Sequence, residues 1–160
     1  MTLADTNTPL TEKVIKDIHS LVLINDMQNR GVYRSLPVTI LGAVHTPPQP
    51  YLVPVQMEQL IADYNTALKT KHTIDAAAEF HLNFENIHPF IDGNGRTGRL
   101  ILNLELVKAG YLPVNIKFTD RRKYYDCFDE YAQSGNINSM VELISGYETE
   151  ELKKYISMLE

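Results

Sequence analysis

The feature that most constrains this chain is the twelve-residue run HPFIDGNGRTGR, His88 to Arg99, which ends one helical pattern and opens another. Pro89 disfavours a helical conformation at His88, so the helix before it must stop near Ile87. That helix reads from about Ile74, with Ala77, Ala78, Phe80, His81 and Phe84 as its buried side. After the glycines, Arg99 to Ala109 (RLILNLELVKA) is the most apolar helical stretch of the chain. Leu100, Ile101, Leu104 and Val107 follow the buried spacing, Lys108 lies in the last turn, and Gly110 stands where a C-cap glycine belongs. The nearly all-round apolar character of RLILNLEL predicts a central helix surrounded by others.

The remaining segments follow the same periodicity argument. Thr8-Pro9 reads as an N-cap with proline at the first helical position, and Val14, Ile15, Ile18, Leu21 and Val22 recur at helical spacing up to about Asn25. Between Gly31 and Pro54 the texture is β-branched and proline-rich, which predicts a short hairpin around Val38 to Val44, then an extended strap. A helix starts at Pro54, with Met57, Leu60, Ile61 and Tyr64 on one face. Another spans about Asp120 to Gln133, where Ser134-Gly135-Asn136 breaks it, and one more covers Ser139 to Ile144. An amphipathic charged tail, 145–160, follows. The expected fold is an all-α single domain over residues 1–160, with its core over about 10–144 and one small β-hairpin.

Composition narrows the function classes. A chain of 160 residues with 44% hydrophobic content can bury one good core and is short for two. A formal charge of −5 and a pI near 5.5 argue against a nucleic-acid binder, since phosphate contacts demand a basic face. Arg121-Arg122-Lys123 is the only basic cluster, and a solvated helix start explains it as well as a site does. Cys127 is the sole cysteine, which excludes an internal disulfide and reads as core packing. MTLADTNTPL does not resemble a signal peptide, and no apolar run approaches the ~20 residues of a membrane span. The expectation is a soluble, cytoplasmic protein with neither nucleic-acid nor membrane partners.

GNGRTG, Gly93 to Gly98, satisfies the dinucleotide-binding pattern, but that fingerprint needs a buried strand before its first glycine. IHPFID places a histidine and a proline there, and no room remains for further βαβ units. The chemistry of the run points elsewhere. Gly93, Asn94 and Gly95 precede an apolar helix, so their backbone N–H groups and the helix dipole can converge on an anion. Arg96 and Arg99 lie three apart and can clamp phosphates, and Asp92 is a natural Mg²⁺ ligand. His88 could take a proton from an attacking hydroxyl. Ile87 and Phe90 anchor the loop in the core. Base, carboxylate, anion nest and arginine clamp together describe phosphoryl or nucleotidyl transfer.

His88 to Arg99 resembles the signature of the Fic family, H-P-F-x-[D/E]-G-N-G-R-x-x-R, at every specified position. GVYR (Gly31 to Arg34), the strap LGAVHTPPQPYLVP, the helix before IHPF and RRKYYDCFDEYAQSGN also look like family segments, so the resemblance covers roughly Leu10 to Ile144. It implies transfer of AMP from ATP to a Ser, Thr or Tyr hydroxyl of a target protein, with release of pyrophosphate. His88 would be the base, Asp92 the ligand of Mg²⁺ (or Mn²⁺), Gly93, Asn94 and Gly95 the anion hole, Arg96 a phosphate contact and Arg99 the γ-phosphate contact. Thr97 and Gly98 would fall in the same nucleotide-binding stretch, and Tyr124 and Tyr125 would lie near the nucleoside. Leu41, Gly42, Ala43 and Val44 match the flap that aligns the target by strand pairing, although a buried hairpin without that role stays open. Transfer of UMP or another phosphate-linked group, and a non-catalytic nucleotide-binding module, are the alternative functions.

Many family members carry an inhibitory helix, [S/T]-x-x-x-E-[G/N], whose glutamate pairs with the last motif arginine. Thr8 to Glu12 has the spacing, but Lys13 follows; the tail glutamates, Glu148, Glu150 and Glu151 among them, lie outside the pattern. The inhibitory element is therefore either missing or supplied by a partner. His81 reads as structural, and His19, His45 and His72 show no ligand spacing.

Overall fold

The computed structural model describes residues 8–159; the stretch before Thr8 and the final Glu160 lie outside the described residues. Six α-helices account for the fold: α1 (Glu12–Val22), α2 (Val53–Ala67), α3 (Thr73–Ile87), α4 (Asn94–Lys108), α5 (Arg121–Ser134) and α6 (Asn138–Ser157). Short 3₁₀ turns, Pro50–Leu52 and Phe118–Asp120, lead into α2 and α5. Among the described residues there is no strand. The expected hairpin over Val38 to Val44 is instead an irregular strap with a tight turn, in which the Ala43 N–H donates to the Ile40 carbonyl around Gly42. Pro37, Pro47, Pro48 and Pro50 cannot donate to a ladder, which leaves the β-branched residues without a partner strand.

The periodicity located the helices and erred at several ends: α1 stops at Val22 rather than near Asn25, and α4 opens at Asn94, inside the glycine run, rather than at Arg99. Thr11, rather than Thr8, caps α1: its Oγ1 accepts the Val14 N–H at 3.3 Å, and Glu12 favours the helix start electrostatically. Residues 139–157 form one continuous helix, not a short helix and a tail, because Ile144 and Tyr147 are buried on either side of Gly146 and packing outweighs its propensity cost.

A larger correction concerns the centre of the fold. The backbone of α4 approaches those of α3 and α1 closely, whereas that of α3 approaches α2, α4, α5 and α6. Leu100 and Val107, expected inside, are 49% and 39% exposed, while Ile101, Leu102 and Leu106 carry the buried face of α4. α3 suits the centre because Ala76, Ala77 and Ala78 are all buried and let neighbouring helices approach closely. Its two faces divide the interior. Phe80, Phe84 and Ile87 join Leu10, Ile15, Met57 and Phe90 in one apolar cluster; Ala77, Ala78 and Leu82 join Leu106, Phe128, Met140 and Ile144 in the other. The end of α3 and the start of α4 therefore emerge side by side from a packed support.

Candidate active site

The site begins where α3 stops. His88 is its C-cap, in the left-handed region at φ 49°, a conformation rare for a residue with a side chain. Arg34 supplies the restraint. Buried in the strap, it donates from Nε to the His88 carbonyl (2.7 Å), from Nη2 to the carbonyls of Pro48 (2.6 Å) and Ile87 (3.3 Å), and from Nη1 to Leu36 (3.1 Å). Its backbone N–H adds a bond to Pro89 O at 2.9 Å. One guanidinium thus satisfies the carbonyls of Ile87, the last residue of α3, and of its cap His88. The GVYR segment signalled Arg34 only as part of a resemblance; nothing in its spacing predicted this duty.

The turn itself is fastened by side chains. Asn94 Oδ1 accepts the Phe90 N–H (2.9 Å) and its Nδ2 donates to the Phe90 carbonyl (2.8 Å), so the Asn94 side chain holds the loop and only its backbone N–H remains for an anion. His19, assigned no role from sequence, is wholly buried and stacks on Phe90 at 3.6 Å. Its Nδ1 accepts the Gly31 N–H, which leaves Nε2 to donate to the Asp92 carbonyl at 2.9 Å. Seventy-three residues separate these partners, so no local pattern could reveal the contact.

Gly93 caps α4 at φ 79°, and a Cβ there would lie 3.1 Å from Val22 of α1. Both the conformation and the packing require glycine. Thr97 N is the first amide of α4 to bond back, to Gly93 O, so the N–H groups of Asn94, Gly95 and Arg96 stay open at the positive end of the dipole. The Gly93 N–H is already taken by Asp92 Oδ1 at 2.6 Å. Thr97 is fully buried and turns its side chain into the core. Gly98 lies at the α3–α4 crossing, where a Cβ would meet Glu85 Oε1 at 2.5 Å and His81 Cε1 at 3.0 Å. Both therefore serve the frame through their side-chain positions.

Above the turn opens a cavity of about 610 Å³, lined by His88, Gly95, Arg99, Tyr124, Tyr125 and the strap residues Ile40 to Ala43. Of the sequence-predicted groups, His88, Gly95, Arg99, Tyr124, Tyr125 and Leu41 to Ala43 line it, whereas Asp92, Gly93, Asn94, Arg96, Thr97, Gly98 and Val44 do not. Arg96 is exposed and faces Asp92 Oδ2 at 3.4 Å. Tyr124 is buried, its hydroxyl 2.8 Å from His81 Nε2, whereas Tyr125 is exposed under the Arg121 guanidinium at 5.3 Å. A larger groove of about 840 Å³ runs along α2 and α3, but its cation Lys71 is already paired with Glu79 at 2.5 Å. The smaller cavity is the one that gathers His88, Gly95 and Arg99.

Its electrostatics favour a neutral base. Burial first, then the Arg34 and His45 charges, hold His88 down to about 4. Nδ1 faces two acceptors, the Glu85 carbonyl at 3.4 Å and Glu85 Oε2 at 3.8 Å, surroundings that favour the tautomer with its proton on Nδ1. Burial pushes the Glu85 carboxyl up to about 7, against the nearby Arg99 charge, and holds His81 down to about 3. His81 is thereby the structural histidine its position suggested.

The surroundings of Asp92 limit the kind of metal it could hold. Its side chain is 73% exposed, and no cluster of three or more His, Cys, Asp or Glu able to hold a metal occurs among the described residues. A lone accessible carboxylate fits Mg²⁺, which keeps waters and phosphate oxygens as its other ligands, and does not fit an all-protein metal cage. None of the candidate inhibitory glutamates lines the cavity. Glu12 pairs with Lys16, Glu150 with Lys117 (2.6 Å) and Glu151 with Lys154 (2.5 Å), while Glu148 is buried with both oxygens unpartnered.

Comparison with known proteins bears on the family and the fold. The chain is 38% identical over 152 residues to the protein adenylyltransferase Fic of Drosophila willistoni, covering 92% of this chain and 29% of that protein. It is 36% identical over 157 residues to the protein of the same name from Aedes aegypti, covering 97% and 31%. The chain thus spans about a third of the length of the curated relatives it matches. Among solved structures, Fic-1 from Caenorhabditis elegans superposes with a TM-score of 0.83 at 28% identity, over 94% of this chain and 44% of that one. A Fic domain containing signaling protein from Bacteroides thetaiotaomicron gives 0.81 at 27% identity, over 94% and 63%. The model of the Fic/DOC family matches residues 9–106, well over half of the sequence, and the chain belongs to that family.

Proposed function

We propose that this chain is a protein adenylyltransferase, moving AMP from ATP to a Ser, Thr or Tyr hydroxyl of a target protein and releasing pyrophosphate. The observation that carries the reading is His88, its charged form disfavoured by burial, in the same cavity as Arg99 and Gly95, whose backbone N–H is open at the start of α4. A binding module would need the anion nest and the arginine; a proton acceptor beside them serves transfer.

In the reaction the target hydroxyl oxygen attacks the α-phosphorus, and the bond from that phosphorus to the β-phosphate bridging oxygen breaks, with its electron pair leaving on pyrophosphate. The hydroxyl proton passes to His88 Nε2. The nest of Asn94, Gly95 and Arg96 N–H groups faces developing negative charge, which is where fixed dipoles contribute most. Arg99 reaches the same turn, its Nη1 3.2 Å from where a Gly95 Cβ would stand, and receives the outer phosphate. Bound phosphates add negative charge beside the ring and raise its proton affinity from the depressed value of the free protein. Asp92 would hold Mg²⁺, which when bound neutralises charge on the phosphates. Tyr125 and Tyr124 form the wall available to a nucleoside. Leu41 to Val44 form the rim available to a target segment, which would pair as an added strand. With Glu150 and Glu151 paired to lysines and none of the tail glutamates lining the cavity, Arg99 is open to a phosphate, and the chain is expected to act without prior activation.

The test is incubation with α-labelled and, separately, γ-labelled ATP, followed by protein separation. Adenylylation deposits the α-label alone, and excess chelator abolishes it. Deposition of the γ-label, or undiminished transfer in chelator, defeats respectively the AMP and the metal assignments.

A further inference from the structure

Glu85 stands in the candidate site without a part in the reaction just described. It lies one turn before His88 on α3, its side chain is 12% exposed, and it lines the cavity. Oε1 is solvent-free and has no hydrogen-bond partner. That oxygen occupies the space left by the missing side chain of Gly98, 2.5 Å from where a Cβ would be, so glycine at 98 admits the carboxyl between α3 and α4. Oε2 faces His88 Nδ1 at 3.8 Å. A buried carboxyl at this position is costly unless a neighbouring charge compensates it during function.

We propose that Glu85 is the positioning residue of the His88 base: seated between Nδ1 of His88 and Arg99, it fixes the imidazole with Nδ1 protonated and Nε2 bare, and it faces the positive charge that His88 acquires during transfer. The proposal rests on the adenylyltransferase reading and deepens it. When the hydroxyl proton reaches Nε2, the ring becomes an imidazolium with protons on both nitrogens, and the Nδ1–H side meets the carboxylate. After pyrophosphate leaves, the proton departs from Nε2 to water and the neutral tautomer returns. The groups around the pair are few. His81 and His88 share α3 with Glu85, Arg99 comes from α4, Tyr124 from α5, and Arg34 and His45 from the strap, with Asp92 acting on His88 from the turn. Among these, Glu85 is the carboxyl within 4 Å of the base. Arg99 makes the arrangement responsive to nucleotide: once a phosphate engages the guanidinium, the carboxyl is left with the imidazole as its nearest cationic partner.

The experiment combines a readout without turnover and one with it. In the full wild-type chain, ¹⁵N shifts of the His88 imidazole, assigned by their loss in His88→Ala, should show Nδ1 protonated and Nε2 bare. Glu85→Gln keeps the shape and removes the carboxylate; it should move the tautomer balance toward Nε2–H, lower kcat about 10- to 100-fold and leave ATP affinity within a few-fold. The acid limb of its pH–rate profile should move to lower pH, because the imidazolium loses its counter-charge. Glu85→Asp, which keeps the charge, should recover part of the rate. A wild-type His88 protonated at Nε2 overturns the proposal even if no variant folds. So does a Glu85→Gln variant with the wild-type tautomer and kcat within about twofold. Absence of transfer by the wild-type chain overturns the adenylyltransferase reading instead, and the tautomer, read without substrate, keeps the two failures apart.

Discussion

The floor and the rim of the cavity are built in opposite ways. The floor, from the end of α3 through the glycine turn into α4, is cross-braced from three directions: Asn94 to Phe90 within the turn, His19 from α1, and Arg34 from the strap. The rim, Ile40 to Val44, has one turn bond of its own and one bond to α5, Val44 N–H to Asp129 Oδ1 at 3.3 Å. Leu41 there is 95% exposed. Chemistry needs a base and phosphate donors fixed to within a fraction of an ångström, whereas capture of a peptide segment tolerates adjustment. One strap serves both, since Arg34 at its start braces the floor and Leu41 at its middle forms the rim.

The largest effect expected is at the floor's reacting group. His88→Ala should lower transfer by about 10²-fold or more while ATP affinity stays within a few-fold, because a base acts in the transition state. Wild-type rates in that variant, by α-label incorporation, would assign the proton to another group. The brace comes next. Arg34→Ala removes four side-chain hydrogen bonds and strands the carbonyls at the end of α3 in a buried setting, for a loss of about 2–4 kcal/mol in urea unfolding. An unchanged midpoint would show that the floor is held without it.

Acid should separate the two regions further. Burial holds His19, His45, His81 and His88 below their ordinary 6.5, so the unfolded chain binds their protons first. Stability is then present above about pH 6.5 and is lost as pH falls toward the folded values, at up to about 1.4 kcal/mol per pH unit for each group. Glu85 and Glu148, pushed upward by burial, work the other way, with stability present below about 4.5 and lost as pH rises through the folded value, about 7 for Glu85. The histidines outnumber them, so urea midpoints should drop between pH 7 and pH 5, and Glu85→Gln should steepen the drop. The smallest effect on stability belongs to the rim. Leu41→Asp should change the unfolding free energy by less than about 0.5 kcal/mol yet raise KM for the protein target several-fold, with KM for ATP unchanged. A matching loss in both KM values would mean that rim and floor are one unit.

Much of this was legible in the sequence where the cause is local. The end of α3 at Ile87 follows from Pro89, the opening of α4 from the glycines of the turn, and the meeting of His88, Gly95 and Arg99 from their closeness along one turn. The twelve residues by themselves carried the family signature, the place of His88 at the end of α3 and the open amides at the start of α4, because helix termination and backbone freedom act over a few residues. Tertiary structure decided the rest. It made α3 the hub in place of the more apolar α4, since three buried alanines permit close approach from several sides and an apolar surface does not require burial. It left Val38 to Val44 without a strand to pair with, since sheet formation depends on a partner elsewhere in the chain. It brought His19 and Arg34 to the motif from an early helix and a strap, and it seated Glu85, already three residues before His88, against Gly98 where α3 and α4 cross; spacing along the chain reveals none of these long-range contacts.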